Sequence, residues 1–350
     1  MVFKMKTRLI LEDNSVWEGE SFGEQKSSAG EVVFTTAMTG YVEALTDSSY
    51  KGQILVFTYP LIGNYGVVDR RFFQSDKVQV SGVIVAQACF SPSHWESQKS
   101  LDFWLRENNI PGLQGIDTRA LTQKLRNKGT MLGKIQNKNE EISFYDPNKE
   151  NLVAEVSSKK PITFKSRGKK AVCLIDCGYK RSILNCLLDR GLTVKIIPWD
   201  FDPFGKFDFD GMVVSNGPGD PKMATKTIKI VKKAIGKKLP VLGICLGDQI
   251  VSLAAGAQTF KLKFGHRSLN QPVKDQRSGR CFITSQNHGF AVDPKSLPLG
   301  FKQWFFNLND QTCEGVISDD GRIMGVQFHP EGNPGPTDTS WVFDEFLRKL

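Results

Sequence analysis

No apolar run in this chain of 350 residues approaches the roughly 18 residues that a membrane-spanning helix needs. The N-terminal stretch MVFKMKTRLILEDN carries positive charge, but its apolar segment breaks at Glu12, too early for the core of a secretory leader. The expectation is a cytoplasmic protein with no membrane partner. The seven cysteines, Cys89, Cys173, Cys177, Cys186, Cys245, Cys281 and Cys313, include no C-x-x-C pair, which argues against a disulfide framework and against a cysteine zinc site. Thiols this dispersed behave as small buried hydrophobes, with one or none reactive. A G-x-x-x-x-G-K-[ST] phosphate loop and an acidic metal cluster are both missing, so neither ATP nor a metal is expected in this chain. Histidine is scarce, with His94, His266, His288 and His329 the whole supply. Internal repeats and low-complexity segments are absent too.

What is present is an ordinary folding composition, 40% hydrophobic and 24% charged, at a length comfortable for two domains. The formal net charge is +9. The lysines are dispersed, and the denser runs, 159–170 and 222–238, read as a linker and a solvated helix face. Without a helix-turn-helix, zinc-finger or RNP pattern beside them, a nucleic-acid partner is not expected; acidic substrates or an acidic partner subunit are better uses of the charge.

The two halves differ in pattern. Residues 1–150 carry short β-like runs broken by turns, TRLILED, EVVFTT, GQILVFTY and SGVIVAQACF, then helical stretches at 100–108 and 118–128 with Gly or Pro punctuation. That predicts an α+β domain. Residues 151–169 are polar, lysine-rich and weakly periodic, which predicts a linker. Residues 170–350 alternate apolar strands (AVCLID, LTVKIIPW, FDGMVVSN, LPVLGIC) with helices at 180–190, 225–238 and 248–255. This is the α/β pattern of a mostly parallel sheet covered on both faces, whose ligands bind beyond the carboxyl ends of the strands.

Two of those strand ends run into unusual turns. Gly243-Ile244-Cys245-Leu246-Gly247 sets a cysteine between glycines after a buried strand and before a helix, the thiol counterpart of the G-x-S-x-G nucleophile elbow. The helix start offers unpaired N–H groups and a positive dipole end, useful to a thiolate and to an oxyanion. By itself the pentapeptide fits a buried structural cysteine equally well. His329 lies in Gly325-Val326-Gln327-Phe328-His329-Pro330-Glu331 at a strand end, and residues two apart on an extended segment share a face. Glu331 can then hold the imidazole's tautomer, as the acid of a triad does. The turn Asn216-Gly217-Pro218-Gly219-Asp220-Pro221 and the loop Ser285-Gln286-Asn287-His288-Gly289-Phe290 offer backbone groups to a ligand, although either alone is only a loop.

Together GICLG, QFHPE and NGPGDP resemble the class I (triad) glutamine amidotransferases over residues 170–350. SQNHGF, the D-x-G-x-K of Asp176–Lys180 and FGHRSLNQPV at 264–273 narrow the resemblance to the small-subunit family of carbamoyl phosphate synthetase. GEVVFTTAMTGYVEALTDSSYKGQILVFTYPLIGNYGV and GIDTRALTQKLRNKG resemble that family's N-terminal domain, so the likeness spans nearly the whole chain. The resemblance implies Cys245 as nucleophile, His329 as general acid and base, and Glu331 as its orienting acid. It implies L-glutamine contacts from Ser49, Gly217, Gly219, Leu246, Gln249, Asn287, Gly289 and Phe290, with Gly219 and Leu246 N–H groups as the oxyanion hole. Ser49 falls in the first half, which implies a pocket near the domain interface. The resemblance also implies a large synthetase subunit, paired as a heterodimer or a higher oligomer of heterodimers. That subunit would hold ATP and magnesium and receive ammonia through a tunnel to make carbamoyl phosphate for arginine and pyrimidine synthesis.

One position departs from the family's usual His or Asn after the elbow: Asp248. In a helix's first turn a carboxylate suits the dipole. If it faces the thiolate instead, it opposes ionisation of the cysteine, and Asp248→Asn shifts the acidic limb of glutaminase kcat/KM to lower pH. Cys177, in place of a more usual aromatic, changes packing only. The rivals are an amidotransferase with another acceptor or a thiol hydrolase of similar fold, neither of which needs the first domain. A third is a non-catalytic subunit, which retains no reason for an intact triad.

Overall fold

The computed structural model describes residues 6–137 and 140–350; residues 1–5, on which the leader reading partly rests, lie outside the described residues. The chain divides into two compact units, Met1–Glu150 and Asn151–Leu350.

The first unit contains β1 (Lys6–Leu11), β2 (Val16–Gly23), β3 (Ser28–Thr35), α1 (Tyr41–Thr46), β4 (Gln53–Phe57), β5 (Leu61–Ile62), β6 (Gly82–Ile84) and β7 (Gln87–Ala88). α2 (Leu101–Glu107), β8 (Pro111–Gln114), α3 (Thr118–Lys128) and β9 (Met131–Asn137) complete it. Seven strands close into a barrel in the order β1-β2-β8-β6-β4-β3-β9, with β9 pairing back onto β1. Alternation along the strands sends Leu9, Leu11, Val32, Ile54, Val56, Ile84 and Leu113 into one buried cluster. Val33, Leu55, Phe57 and Val83 face the other way, into a second cluster with Trp104 and Leu105 of α2. The run SGVIVAQACF, read as one strand, is two: β6 joins the barrel, while β7 pairs with β5 in a separate two-stranded sheet. β2 had no signal of its own, because VWEGESFG is half polar and glycine-bearing. Its extended state comes from pairing with β1 and β8, a case of context overriding propensity.

The second unit contains α4 (Leu152–Val156), β10 (Ile162–Phe164), β11 (Ala171–Asp176), α5 (Arg181–Asp189), β12 (Thr193–Pro198), β13 (Gly211–Val214), α6 (Thr225–Gly236), β14 (Val241–Ile244) and α7 (Leu246–Ala255). It continues through β15 (Thr259–Asp275), β16 (Cys281–Val292), β17 (Phe301–Asn307), β18 (Cys313–Ser318), β19 (Ile323–Val326) and α8 (Trp341–Leu347). Ten strands form one sheet in the order β10-β12-β11-β13-β14-β19-β18-β17-β15-β16. The five from β12 to β19 are mutually parallel. Successive residues of β11 and β13 go to opposite faces. Val172, Leu174 and Val213 pack with Ile183 and Leu187 of α5 and Phe343 and Phe346 of α8. Cys173, Ile175, Met212 and Val214 pack with Ile230 and Val231 of α6 and Ile250 and Val251 of α7.

Beyond β19 the sheet turns antiparallel, through β18, β17 and the long β15–β16 ribbon. That ribbon is largely polar and carries register shifts between Lys261 and His266 and between Ser268 and Gln271, so no simple period marks it in the sequence.

The expected linker at 151–169 is corrected by the structure. α4 buries Leu152 and Val153, and β10 pairs antiparallel with β12 at the sheet edge. The Ser158 N–H donates to Asp176 Oδ2 at 2.7 Å. Lys159, Lys160 and Lys165 flank this three-residue edge strand rather than lie in it, and its extended state comes from pairing with β12, so composition alone misread the segment. The lysines of α6 do form a solvated face: Lys226, Lys229, Lys232 and Lys233 are exposed while Ile230, Val231 and Ala234 are buried.

Candidate active site

β14 ends at Ile244 and α7 begins at Leu246, which leaves Cys245 alone to turn the chain. Its φ of 57° and ψ of −107° lie where non-glycine residues rarely sit. Packing enforces the turn. A Cβ on Gly243 would stand 2.4 Å from the Gly247 carbonyl oxygen, and one on Gly247 would stand 2.0 Å from the Val214 oxygen of β13. Only glycine at both positions lets the helix start lie this close to the strand ends. The Cys245 N–H donates to Val326 O at 2.8 Å, which ties the elbow to the end of β19.

From Val326 the chain runs on as Gln327-Phe328-His329, outside the regular strand. It is fixed by Gln327 N to Glu314 O and His329 N to Ser285 O, both 2.9 Å. His329 Nδ1 hydrogen-bonds Glu331 Oε1 at 2.6 Å, and the same oxygen accepts from Lys180 Nζ at 2.8 Å. All three side chains are almost wholly buried. Burial alone would raise Glu331, but the Lys180 ammonium and then His329 bring it down to about 2. Burial pulls His329 down, yet the Glu331 carboxylate outweighs it and Cys245 adds to the upward pull, so the imidazole is raised to about 10. Its Nε2 is buried with no partner at full hydrogen-bond distance and is left for proton exchange on the Cys245 side.

The opposite wall is β16. Cys245 Sγ lies 3.5 Å from Asn287 O, and Gln327 Nε2 lies 3.7 Å from Sγ. Gln249 Nε2 donates both to Phe290 O at 2.8 Å and to Gln327 Oε1 at 2.9 Å, so α7, β16 and the QFHPE segment are pinned to one another beside the thiol. Gly217 packs against Leu246, since a Cβ there would lie 2.8 Å from Leu246 Cδ2. The loop before α5 joins the same group: the Cys177 N–H donates to Ser215 Oγ and the Lys180 N–H to Asn216 Oδ1, both at 3.0 Å.

Direct contacts therefore join Cys245 to Asn287, and through Gln327 to Gln249 and Phe290; His329 bonds Glu331, and Gly217 packs on Leu246. Gly219, at a φ of 81°, follows in the same turn, and Gly289 lies beside Arg267. Ser49 belongs to the first unit, buried in a short turn where its N–H donates to Asp47 Oδ1 at 2.9 Å. Two residues of the site escaped assignment from sequence, Lys180 and Gln327. Each stood inside a quoted motif, D-x-G-x-K and QFHPE, but neither spacing discloses that one reaches a carboxylate 151 positions away and the other a thiol 82 positions away.

Asp248 does not serve the helix dipole as an exposed first-turn acid, and it does not point at the thiol. It is wholly buried, with its Oδ1 lodged over Gly325, where a Cβ would meet it at 2.2 Å. Burial, reinforced by the Glu314 carboxylate, holds it well above the usual carboxylate range, so the neutral acid is favoured.

Comparison with known proteins agrees with this geometry. Residues 9–135 match the family model of the carbamoyl-phosphate synthase small chain, CPSase domain, and residues 173–349 match that of glutamine amidotransferase class-I. The chain is 48% identical to a carbamoyl phosphate synthase small chain of Archaeoglobus fulgidus, over 99% of both proteins. It is 46% identical to the multifunctional protein pyr1-3 of Dictyostelium discoideum, covering 98% of this chain but only 17% of that protein. It is 44% identical to a mitochondrial carbamoyl-phosphate synthase [ammonia] of Aquarana catesbeiana, covering 97% of this chain and 23% of that protein.

Two outcomes follow from the buried charges. Lys180→Met strands Glu331 without its cation, and unfolding in denaturant at neutral pH should show a loss of about 3–5 kcal/mol. Because Glu331 is depressed, its stabilisation is present above its unfolded pKa and lost as pH falls through about 2 in the native chain. In the variant that loss should begin at higher pH. Asp248→Asn should leave the glutaminase pH profile unchanged. Asp248 is raised, so its folded form binds the extra proton, and the native chain loses stability as pH climbs above the unfolded value of about 3.9. The melting temperature of Asp248→Asn relative to native should therefore rise between pH 5 and pH 8; a constant gap would refute the neutral-acid assignment.

Proposed function

The chain belongs to the carbamoyl-phosphate synthase small-chain family, and on that premise we propose that it hydrolyses L-glutamine and delivers the ammonia to a large ATP-dependent subunit that makes carbamoyl phosphate. A relative named for ammonia shows that kinship alone does not establish glutamine as the nitrogen source. The observation that carries the proposal is the buried series Lys180, Glu331 and His329 ending beside Cys245 on a positive-φ elbow.

In this reading His329 Nε2 takes the thiol proton as Cys245 Sγ attacks the side-chain amide carbon of glutamine. The C–N bond breaks as His329 delivers its Nε2 proton to the leaving nitrogen, giving ammonia and a glutamyl thioester. His329, now neutral, takes a proton from water as that water attacks the thioester carbonyl. The C–S bond breaks, glutamate leaves, and the thiol regains its proton. The Leu246 N–H at the helix start and the N–H of Gly219 are the oxyanion donors. Gln249, Asn287, Gly289, Phe290 and Gly217 are the remaining glutamine contacts. Glu331, ionised by Lys180, keeps Nδ1 protonated throughout and the ring in one orientation.

ATP and magnesium belong to the large subunit in this proposal, which expects at least a heterodimer and a product used in arginine and pyrimidine synthesis. A non-catalytic reading had one support, Asp248 as an obstacle to the thiolate, and the carboxyl faces Gly325 and Glu314 instead.

The test is reconstitution with a large subunit and assay of carbamoyl phosphate from glutamine and from ammonia. Cys245→Ser should lower the glutamine-dependent rate by about 10³-fold or more while sparing the ammonia-dependent rate. Loss of both, or of neither, would overturn the proposal.

A further inference from the structure

The QNHGF segment, expected from sequence to be a loop, is instead part of β16, held extended by pairing with β15, and beside it lies a buried polar cluster that the hydrolysis does not use. His266 of β15, His288 of β16 and Glu314 of β18 each turn one ligand-type atom inward, all within 4.8 Å of one another. His266 Nδ1 is 3.3 Å from Glu314 Oε1. Gln286 Oε1 sits between the rings, 2.9 Å from His266 Nδ1 and 3.0 Å from His288 Nε2. With metal–ligand bonds of about 2.0–2.1 Å, the edge of a tetrahedral N/O site is about 3.3 Å, close to the His266–Glu314 separation and to those of Gln286 from each ring; the group as a whole, spread over up to 4.8 Å, draws in on an ion.

The outward nitrogens are already engaged. His266 Nε2 meets Asp310 Oδ2 at 2.8 Å, and His288 Nδ1 meets Phe290 O at 2.8 Å. Both outer partners only accept, so each ring spends one hydrogen outward and can turn a lone pair inward, the usual arrangement of metal-bound histidine. Against the pull of burial, Asp310 and Glu314 raise His266 to about 9, so an ion entering here displaces a proton from its Nδ1. With that proton displaced, the centre holds two nitrogen lone pairs, the Gln286 carbonyl oxygen and a carboxylate. One extra proton satisfies only one of the two histidines. Turning the Gln286 amide over moves the conflict, because Gln286 Nε2 now donates to Glu314 Oε2 at 2.8 Å and an oxygen there would face the carboxylate. A single cation bound at the centre resolves every contact at once.

We propose that His266 Nδ1, His288 Nε2, Glu314 and Gln286 Oε1 form a closed N₂O₂ site for a divalent transition metal, zinc being the best match to two imidazoles in tetrahedral geometry. With four protein ligands and no open position, the ion is structural. It ties β15, β16 and β18 together and clamps Gln286 and His288 on either side of Asn287, whose carbonyl faces Cys245. The site stands apart from the glutaminase proposal, and its test does not require turnover.

Full-length protein is stripped with a chelator and titrated with Zn²⁺ against a chromophoric competitor, with metal per chain counted by elemental analysis. Cys281→Ser controls for the exposed thiol. The expected result is one zinc per chain, a melting temperature that rises on zinc addition, and about 100-fold weaker binding in Glu314→Gln. ¹¹³Cd NMR of the native chain should show a nitrogen and oxygen environment with no thiolate, a readout that stands even if Glu314→Gln fails to fold. No stoichiometric zinc in the native chain, a thiolate signature, or equal binding by a folded Glu314→Gln would overturn the site and leave the cluster a hydrogen-bond network alone.

Discussion

Lys180 carries an ammonium into a dry pocket and sets it 2.8 Å from Glu331. Burying an isolated carboxylate is expensive enough that the group would protonate instead, and a protonated Glu331 could not hold the His329 imidazolium. The lysine therefore decides the charge state of the glutamate, and the glutamate decides that of the histidine. Each member is meaningful only with the others in place. They come from the loop after β11 and from the segment beyond β19, so the parallel sheet exists, in effect, to bring those two strand ends together.

The elbow is the second constraint. Cys245 occupies a backbone conformation that a free peptide would avoid, and the contacts of Gly243 and Gly247 with neighbouring carbonyls keep it there. What results is a thiol aimed at the β16 wall, with Gln249 and Gln327 bracing the two sides. Behind that wall the His266, His288, Gln286 and Glu314 cluster continues the same theme. Polar groups inside this unit are linked into networks, which limits the freedom of the β16 segment that faces Cys245.

Much of this was legible in the linear text. Apolar strands alternating with amphipathic helices disclosed the parallel core. Glycines around Cys245 and the two-residue step from His329 to Glu331 disclosed the elbow and the imidazole–carboxylate pair. The antiparallel extension was not legible, because the long β15–β16 ribbon is mostly polar and bulged, and its order comes from pairing. The edge strand at Ile162–Phe164 was hidden among lysines for the same reason. In the first unit β2 had no period to read, and only closure of the barrel makes it a strand.

By itself the sequence determined which residue types could act and in what order along the chain: a cysteine at a strand-to-helix turn, a histidine and a glutamate sharing a face, and a neighbouring acid of unknown direction. Only the tertiary structure decided which long-range partners these groups have. It placed Lys180 on Glu331 and Gln327 on Cys245. It also turned Asp248 away from the thiol, toward Gly325 and Glu314. Local periodicity records which face a side chain leaves by. What it meets there depends on strands far apart in the chain, and in a buried, poorly screened interior that meeting sets the charge.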